Sequence, residues 1–296
     1  MRPHNYQHQS NHPMTHNLII QAEEISTHDL KSLHALSGAA AIEKIDCVAH
    51  QAFRLTNANP DTVNAVRTYC GTAQLDFAFM PMEKKLSGFG LIAMDMDSTL
   101  ITIECIDEIA NFTGKKTEVA AITARAMRGE IDWPQSLRQR VALLAGLDES
   151  VLQRVYDERL KHSPGAEKLI AAAKKQNIKT LLVSGGFTFF TERLKARLNI
   201  DYAFSNTLEI DDGTLTGNVI GPLCDAEAKA QHFRETADAL SLTRDQCIAI
   251  GDGANDLKMM AAAGLAIAYH AKPVVQSQAN VAINHLGLDA VLALFG

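Results

Sequence analysis

The sequence has no run of lysines and arginines, no cysteines at CxxC spacing and no apolar segment near 18 residues long. Without a basic patch, and with a formal net charge of −6, the chain is not expected to bind nucleic acid. Its five cysteines show no pairing pattern, which argues against a disulfide framework and favours a reducing compartment. Because no membrane span or signal peptide is recognisable, we expect a cytoplasmic protein with no membrane partner.

The amino-terminal segment, residues 1–16, is polar and contains regularly spaced histidines. They are His4, His8, His12 and His16. On a helix this spacing would place them on one face, where they would suit a metal ion. The prolines and the several asparagines and glutamines of the segment favour a disordered tail instead.

Residues 17–82 alternate short apolar segments with two helical patterns. Strands are predicted over 17–22, over 42–55 as one strand or two, and over 75–81, with helices after Ser26 and Asn59. The order βαββαβ is typical of small ferredoxin-like α+β domains. Residues 83–90 are predicted to be a linker.

From residue 91 the pattern becomes α/β, with short apolar strands that end in polar or glycine-rich turns. The predicted strands cover 91–97, 180–184, 247–251, 265–268 and 281–283, and a hairpin turn is predicted at 211–214. This pattern indicates a doubly wound parallel sheet with helices on both faces. The mostly helical stretch between the first two strands is too long for one crossover helix, so we expect an inserted helical cap over about 105–163.

The first of these strands carries two aspartates where burial is expected. Asp95 and Asp97 stand two positions apart at the end of an otherwise apolar run. An unpaired charge is costly to bury, so these carboxylates need a positive partner from outside the strand.

Further polar groups follow other predicted strands, and in open α/β sheets ligands bind at the carboxyl ends of the strands. Ser184-Gly185-Gly186 follows the second strand, Lys229 lies on a predicted helix over 225–240, and a GDGAND motif occupies residues 251–256. Each motif alone is also common as a turn or a helix cap. Together and in this order they are specific.

This set of motifs, which begins with the DMDST sequence at 95–99, resembles the haloacid dehalogenase-like phosphohydrolases over residues 90–296. Its similarity to the family members that act on phosphoserine rests on Glu104 and residues 127–144. The resemblance implies Mg²⁺-dependent hydrolysis of O-phosphoserine to serine and phosphate through an aspartyl phosphate, the last step of serine biosynthesis. Residues 17–82 resemble the ACT-like regulatory domain of some bacterial members, with homodimerisation through it as one possible role.

The resemblance also implies roles for the acidic residues. Asp95 would be the nucleophile and a Mg²⁺ ligand. Asp97 would offer its backbone carbonyl to the metal, while its side chain donates and then accepts a proton. Asp252 would be the third metal contact, and Asp256 would lie beside it and act through water.

The phosphoryl group would be held by the remaining motifs. Ser184 and the amide of Gly185 would bind its oxygens, although a serine at this position equally suits a turn cap. Lys229 would supply the cation, and Asn255 would donate to the phosphoryl group or brace its own loop. Gly186 would serve only to permit the turn.

Specificity for the amino-acid end is expected from the cap. Glu104 would bind the substrate ammonium, and Arg140 the carboxylate, since arginine pairs bidentately with carboxylates. Met127 and Trp133 would form an apolar lid, although Trp133 equally suits a core position. Three other cap arginines remain open for the same role: Arg125, Arg128 and Arg138.

Three other functions remain open at this stage. One is a phosphatase or phosphotransferase of the same family that acts on another small phosphate ester. A dehalogenase would use the same nucleophile, but Asp97 argues against it because that reaction needs neither Mg²⁺ nor an acid at this place. The third is an amino-acid sensor without catalysis, against which the complete set of motifs argues.

Overall fold

The computed structural model describes residues 16–296 and divides the chain into two compact units, with the boundary between Lys84 and Lys85. Three of the four regularly spaced histidines lie outside the described residues: His4, His8 and His12. His16, which was predicted to belong to the tail, is the first residue of a strand. Within residues 16–296, no helix combines the length and the apolar character that crossing a membrane requires.

The first unit is an antiparallel sheet with two helices. Its elements are β1 (His16–Ala22), α1 (Thr27–Ser37), β2 (Ala41–Ile45), β3 (Gln51–Ala58), α2 (Val63–Ala73) and β4 (Asp76–Pro81). The strand order is β2-β3-β1-β4, and every neighbouring pair is antiparallel. The single or double strand expected over 42–55 is therefore two strands, separated by residues 46–50.

Local sequence signals explain the ends of α1. Ser26 and Asp29 form a capping box at its start, with Asp29 N donating to Ser26 Oγ over 3.0 Å. Gly38 ends the helix with φ of +62°, a conformation that costs glycine little. Leu18 and Ile20, on alternate positions of β1, belong to the buried core of this unit.

The second unit contains seven strands. They are β5 (Leu91–Met94), β6 (Lys179–Phe187), β7 (Tyr202–Asp211), β8 (Thr214–Ile220), β9 (Cys247–Gly251), β10 (Leu265–Tyr269) and β11 (Val281–Ile283). Their order is β11-β10-β9-β5-β6-β7-β8, and every neighbouring pair is parallel except the β7–β8 hairpin. This is the parallel α/β sheet that the sequence pattern predicted.

Ten helices of the described chain accompany this sheet. They are α3 (Cys105–Phe112), α4 (Lys116–Met127), α5 (Trp133–Ala142), α6 (Ser150–Glu158), α7 (Ala166–Lys175), α8 (Thr188–Leu198), α9 (Ala226–Ala239), α10 (Leu257–Ala262), α11 (Pro273–Gln276) and α12 (Ala290–Ala293). The first four, α3 to α6, occupy the long stretch between β5 and the helix that precedes β6. The two chain segments that connect them to the rest are paired, since Thr102 N donates to Lys161 O and Ser163 N donates to Leu100 O.

Two strands at the centre of the sheet differ in length from the prediction. Strand β5 ends at Met94, so Asp95 begins a turn instead of lying within the strand. Strand β6 continues to Phe187, so Ser184 and the two glycines after it lie inside the strand. Because β5 lies between β6 and β9, the polar residues at their carboxyl ends meet at one edge of the sheet.

The predicted linker, 83–90, is largely part of the second unit. Phe89 is buried and packs edge-to-face on Phe295, with ring centroids 5.3 Å apart. Gly90 N donates to Gln246 O, and Gly90 O accepts from Lys179 N. Through these hydrogen bonds Gly90, the residue before β5, pairs with the neighbouring segments on both sides. Gly90 is therefore part of the sheet and not of a linker.

Helix α9 depends on its amino-terminal cap, which gives a testable expectation. Asp225 accepts hydrogen bonds from Glu227 N and Ala228 N, each 2.9 Å long. Replacing it in Asp225→Ala leaves both amides without this partner and should cost about 1 kcal/mol of unfolding free energy. Urea denaturation measures the change. Asp225→Asn keeps a cap acceptor and should lie close to the wild type; equal losses in both variants would contradict the capping role.

Candidate active site

The turn after β5 fixes the position of Asp95. Its backbone N donates to Ile250 O of β9 over 3.0 Å, and its Oδ1 accepts from Met96 N over 2.7 Å. Ser98 has φ of +57°, an uncommon conformation for a residue with a side chain, and it reverses the chain. The Asp95 side chain is therefore held at the edge of the sheet, with only 5% of the residue exposed.

Lys229 lies fully buried beneath this turn. Its Nζ is 2.7 Å from Asp95 Oδ1 and 2.8 Å from Asp256 Oδ1. Burial acts to lower the pKa of the Lys229 ammonium, but Asp256 and Asp95 outweigh burial and raise this pKa above its ordinary value. Lys229 is thus a fixed cation that bridges two carboxylates.

A third carboxylate, Asp252, completes an acidic cluster. Oxygen atoms of Asp95, Asp252 and Asp256 all lie within 4.8 Å of one another. Thr99 Oγ1 donates to Asp252 Oδ1 over 3.1 Å, and Gly253 N donates to Asp256 Oδ2 over 3.0 Å. Burial, reinforced by Asp256, raises the pKa of Asp252 to about 6. Three carboxylates facing one ammonium form a set of oxygen donors that suits a divalent cation.

Strand β6 brings its serine and glycines against the turn that follows β5. Ser184 is fully buried, and its Oγ accepts from Gly186 N over 2.8 Å. A Cβ at Gly186 would lie 2.8 Å from Asp97 Oδ2 and 3.0 Å from Ser184 Oγ. Gly186 was expected to permit a turn, but the strand continues through it, and the glycine is needed because Asp97 approaches so closely.

Asn206 is a buried residue of β7 that the sequence reasoning missed. Its Nδ2 donates to Gly185 O, and its Oδ1 accepts from Cys224 N, both over 2.8 Å. These two bonds hold the end of β6 against the segment that leads into α9. The sequence signal that could have identified Asn206 is a polar side chain at a buried position of β7, because buried polar groups are usually hydrogen-bonded.

A pocket of about 460 Å³ opens over the cluster. Most of the residues expected at the site line it, namely Asp95, Asp97, Glu104, Met127, Arg140, Gly185, Asp252 and Asn255. The other three expected residues are fully buried outside its lining: Ser184, Lys229 and Asp256. The pocket has the size of a small-molecule site, and its walls come from both the sheet edge and helices α3 to α5.

Asp97 and Glu104 occupy one wall of this pocket. Asp97 Oδ1 accepts from Cys105 N over 3.2 Å, and Glu104 Oε1 accepts from Ser98 Oγ over 2.8 Å. Burial, reinforced by the nearby charge of Glu104, raises the pKa of Asp97 to about 7. Asp97 can therefore both hold and release a proton near neutral pH.

Arg140 reaches the pocket from the last turn of α5. Asp132 caps the start of this helix, and Arg140 Nε donates to Ser136 O over 3.4 Å. Burial lowers the pKa of the Arg140 guanidinium, while Asp107 and Glu104 act to raise it. The guanidinium is thus partly desolvated and close to acidic groups of the same pocket.

The three alternative arginines do not line the pocket. Arg125 and Arg128 form ion pairs with Glu130 at 3.5 and 2.6 Å. Arg138 is exposed on the side of α5 away from Arg140, as the helical period requires. Of these four arginines of the described chain, Arg140 is thus the one that lines the pocket.

The two expected lid residues also line the pocket. Met127 is 71% exposed at the end of α4. Trp133 lies over the sheet edge, with its Cζ2 2.9 Å from the place that a Cβ on Gly185 would occupy. Trp133 is therefore a wall of the pocket, and a larger residue at Gly185 would displace it.

Two charged residues of the pocket were missed from the sequence. Asp107 lies three positions after Glu104 on α3, and Lys272 follows β10. Burial raises the pKa of Asp107, which Arg140 opposes. Helical spacing would have placed Asp107 beside Glu104, and the rule for carboxyl ends of strands would have pointed to Lys272.

Comparisons with known proteins show the family to which this chain belongs. The family described as haloacid dehalogenase-like hydrolase matches residues 92–261, and a domain of unknown function, DUF4072, matches residues 18–66. The chain belongs to the haloacid dehalogenase-like hydrolase family. The α/β fold of the second unit and the membership expected from the motifs are thereby confirmed; an ACT-like first unit is not.

Within this family the chain is similar to phosphoserine phosphatases. The one from Polaromonas sp. is 57% identical over 215 residues, which cover 71% of this chain and 91% of the relative. The unliganded structure of a probable phosphoserine phosphatase from Vibrio cholerae superposes with a TM-score of 0.82 at 37% identity, covering 94% of this chain and 86% of that one. A phospho-aspartyl intermediate analogue of phosphoserine phosphatase gives 0.66 at 38% identity, covering 72% of this chain and all of that one.

The raised pKa of Asp252 predicts how stability depends on pH when Mg²⁺ is withheld. With a folded-state pKa of about 6 against 3.8 in the unfolded chain, the charged carboxylate is destabilising, so stability falls as pH rises through this interval. Asp252→Asn removes that charge and should raise the unfolding free energy by up to about 3 kcal/mol near pH 8.

The gain should disappear as the pH falls to about 3, below both pKa values, where Asp252 is protonated in the folded state and largely so in the unfolded chain. Urea denaturation in EDTA across this pH range measures it. Asp212→Asn, on the exposed hairpin turn, is the matched control and should change little. A gain that does not vary with pH would contradict this assignment.

Proposed function

We propose that this chain is a phosphoserine phosphatase, which hydrolyses O-phosphoserine to serine and phosphate as the last step of serine biosynthesis. The observation that carries the proposal is one pocket that combines two chemically different sets of groups. Asp95, beside Lys229, lines it together with Glu104 and Arg140, which offer opposite charges. The similarity to phosphoserine phosphatases at 57% identity supports the same substrate.

The acidic cluster is the proposed Mg²⁺ site. Asp95, Asp252 and the backbone carbonyl of Asp97 would be the protein ligands, because oxygen donors of this kind are what Mg²⁺ prefers. Both oxygens of Asp256 already accept hydrogen bonds, from Lys229 and Gly253, which supports a place beside the metal instead of on it. A bound Mg²⁺ would offset the repulsion between the carboxylates and a phosphate dianion.

Asp95 is the proposed nucleophile. A carboxylate oxygen of Asp95 attacks phosphorus, the bond between phosphorus and the serine oxygen breaks, and an aspartyl phosphate forms. The hydrogen bonds from Met96 N and Lys229 fix the orientation of the carboxylate before substrate binds. Such positioning contributes to catalysis because the reacting oxygen does not have to be ordered in the transition state.

Asp97 supplies the proton. In the first step its protonated side chain donates to the departing serine oxygen. In the second step the resulting carboxylate accepts a proton from water, which attacks phosphorus and releases phosphate and free Asp95. A pKa of about 7 suits both directions of transfer, because the group is available in either form at neutral pH.

The phosphoryl oxygens would be held by groups around the sheet edge. Gly185 and Asn255 line the pocket and are the proposed donors. Ser184 and Lys229 are buried directly beneath, where Ser184 already bonds to Gly186 N and Lys229 to Asp95. We propose that both reach the phosphoryl group from below as it enters.

Glu104 and Arg140 are the proposed determinants of the amino-acid end. Glu104 would pair with the ammonium and Arg140 with the carboxylate of phosphoserine. Met127 and Trp133 would cover the bound substrate and exclude water, with α3 to α6 acting as the cap.

For the first unit we propose a ferredoxin-like, ACT-like domain, which its strand order supports.

A panel of substrates tests the proposal most directly. Phosphoserine, phosphothreonine and several sugar phosphates are assayed with Mg²⁺ and with EDTA. Phosphoserine should give the highest kcat/KM, and EDTA should abolish turnover. Preference for a sugar phosphate would favour the alternative, a phosphatase or phosphotransferase for another small ester.

Asp95→Asn should abolish both turnover and formation of a phosphoenzyme, because the amide oxygen is a far weaker nucleophile than a carboxylate. Acid-quenched mixtures with radiolabelled phosphoserine show whether the label stays on the protein. The variant should remain folded, since the introduced amide retains an oxygen that can accept from Met96 N. Full activity of Asp95→Asn would exclude the mechanism.

Arg140→Ala should raise KM for phosphoserine by about a hundredfold, the scale of a lost charge-assisted bidentate contact. Arg138→Ala is the matched control, since this arginine is exposed on the same helix and outside the pocket. Steady-state kinetics gives KM for phosphoserine in both variants, so the effect of the arginine in the pocket can be compared with that of the exposed arginine. A similar KM in both would contradict the role proposed for Arg140.

A further inference from the structure

The β7–β8 hairpin forms backbone hydrogen bonds with the segment that follows α5. Gly146 N donates to Leu215 O, Leu215 N donates to Leu147 O, and Glu149 N donates to Gly213 O, each over 2.8 Å. Asp148 and Thr214 form an antiparallel bridge between the same segments. The hairpin belongs to the sheet that carries the nucleophile, so these bonds fasten the segment that follows α5 to that sheet.

A close approach at Gly217 accompanies this pairing. A Cβ at Gly217 would lie 2.8 Å from Ala145 Cβ and 3.3 Å from the Cα and O of Ala142. Gly217 also has φ of +85°. Strand β8 can thus lie against the backbone at the end of α5 only because this position has no side chain.

The contacted part of α5 lies next to the residue that faces the substrate. Arg140 is in the last turn of the helix, two positions before Ala142. A helix turn moves as a rigid element, so displacement of Ala142 also displaces the Arg140 backbone. This contact therefore fixes the distance between the sheet edge, which holds Asp95, and the Arg140 guanidinium, which faces the substrate.

We infer that Gly217 is a positioning residue for Arg140, and that the β7–β8 hairpin sets the distance between the phosphoryl end and the carboxylate end of the pocket. The inference rests on the proposed function, since it assigns Arg140 to the substrate carboxylate. No residue of β8 belongs to the acidic cluster or to the pocket lining of the described chain, and Gly217 meets the end of α5, so we expect the effect at the amino-acid end.

Gly217→Ala tests this with two substrates. Phosphoserine has both an ammonium and a carboxylate, whereas phosphoethanolamine has the ammonium and no carboxylate. For phosphoserine we expect KM to rise by about tenfold with little change in kcat, as displacement by a fraction of an ångström implies. For phosphoethanolamine we expect kcat/KM to stay at the wild-type value, because Arg140 has no partner on it.

Gly221→Ala is the matched control. Gly221 lies just after β8 with φ of +76°, and a Cβ there would meet nothing within 4 Å. It carries similar backbone strain without the contact, so both substrates should behave as in the wild type. Combining Gly217→Ala with Arg140→Ala should cost no more than Arg140→Ala alone, because the displaced group is already absent.

Two further variants keep the test independent of how well Gly217→Ala folds. Ala145→Gly removes the Cβ that the new side chain meets, and adding it to Gly217→Ala should restore much of the KM for phosphoserine. Ala145→Val enlarges the opposite side of the same contact without straining Gly217, and should raise that KM selectively.

Equal losses on both substrates, or an unchanged KM for phosphoserine in both Gly217→Ala and Ala145→Val, would overturn the inference. Failure of the proposed function looks different, since the wild type itself would not hydrolyse phosphoserine.

Discussion

The buried ammonium of Lys229 between Asp95 and Asp256 is the interaction on which the site depends. Two unpaired carboxylates at 5% and 0% exposure would be strongly unfavourable, and Lys229 at 0% exposure offsets them over 2.7 and 2.8 Å. Each partner comes from a different part of the second unit: the turn after β5, the loop after β9 and helix α9. The contact therefore also joins these elements at the sheet edge.

Lys229 neutralises only part of the negative charge of the site, and the remaining negative charge suits the proposed chemistry. Burial, reinforced by the charge of Asp256, raises the pKa of Asp252 to about 6, and burial beside Glu104 raises that of Asp97 to about 7. A site with surplus negative charge favours a divalent cation, and a carboxyl that titrates near neutrality can transfer protons. The features that destabilise the site without a metal are therefore those that the proposed phosphoryl transfer would use.

The two proposed parts of the pocket come from different structural layers. The proposed phosphoryl part lies at the edge of the parallel sheet formed by the carboxyl-terminal residues of β5, β6 and β9. The proposed amino-acid part comes from the stretch of α3 to α5, which leaves the sheet after β5 and returns before β6. The β7–β8 hairpin bonds to the segment that follows α5, and this pairing is the basis for our inference that the hairpin sets the position of Arg140 relative to the sheet edge.

The sequence by itself determined the parallel α/β class, the family and the identity of the acidic residues, because continuous apolar strands and short motifs at their ends are local signals. Tertiary structure decided what depends on distant segments: that β6 continues through Ser184, that Gly186 is needed by the approach of Asp97, and that Arg140 faces the pocket while Arg138 does not. Asn206 and Gly217 were missed for the same reason, since their importance comes from neighbours far away in the chain, whereas local signals for Asp107 and Lys272 were present in the sequence. Burial and close contact are properties of packed elements, and no local pattern encodes them.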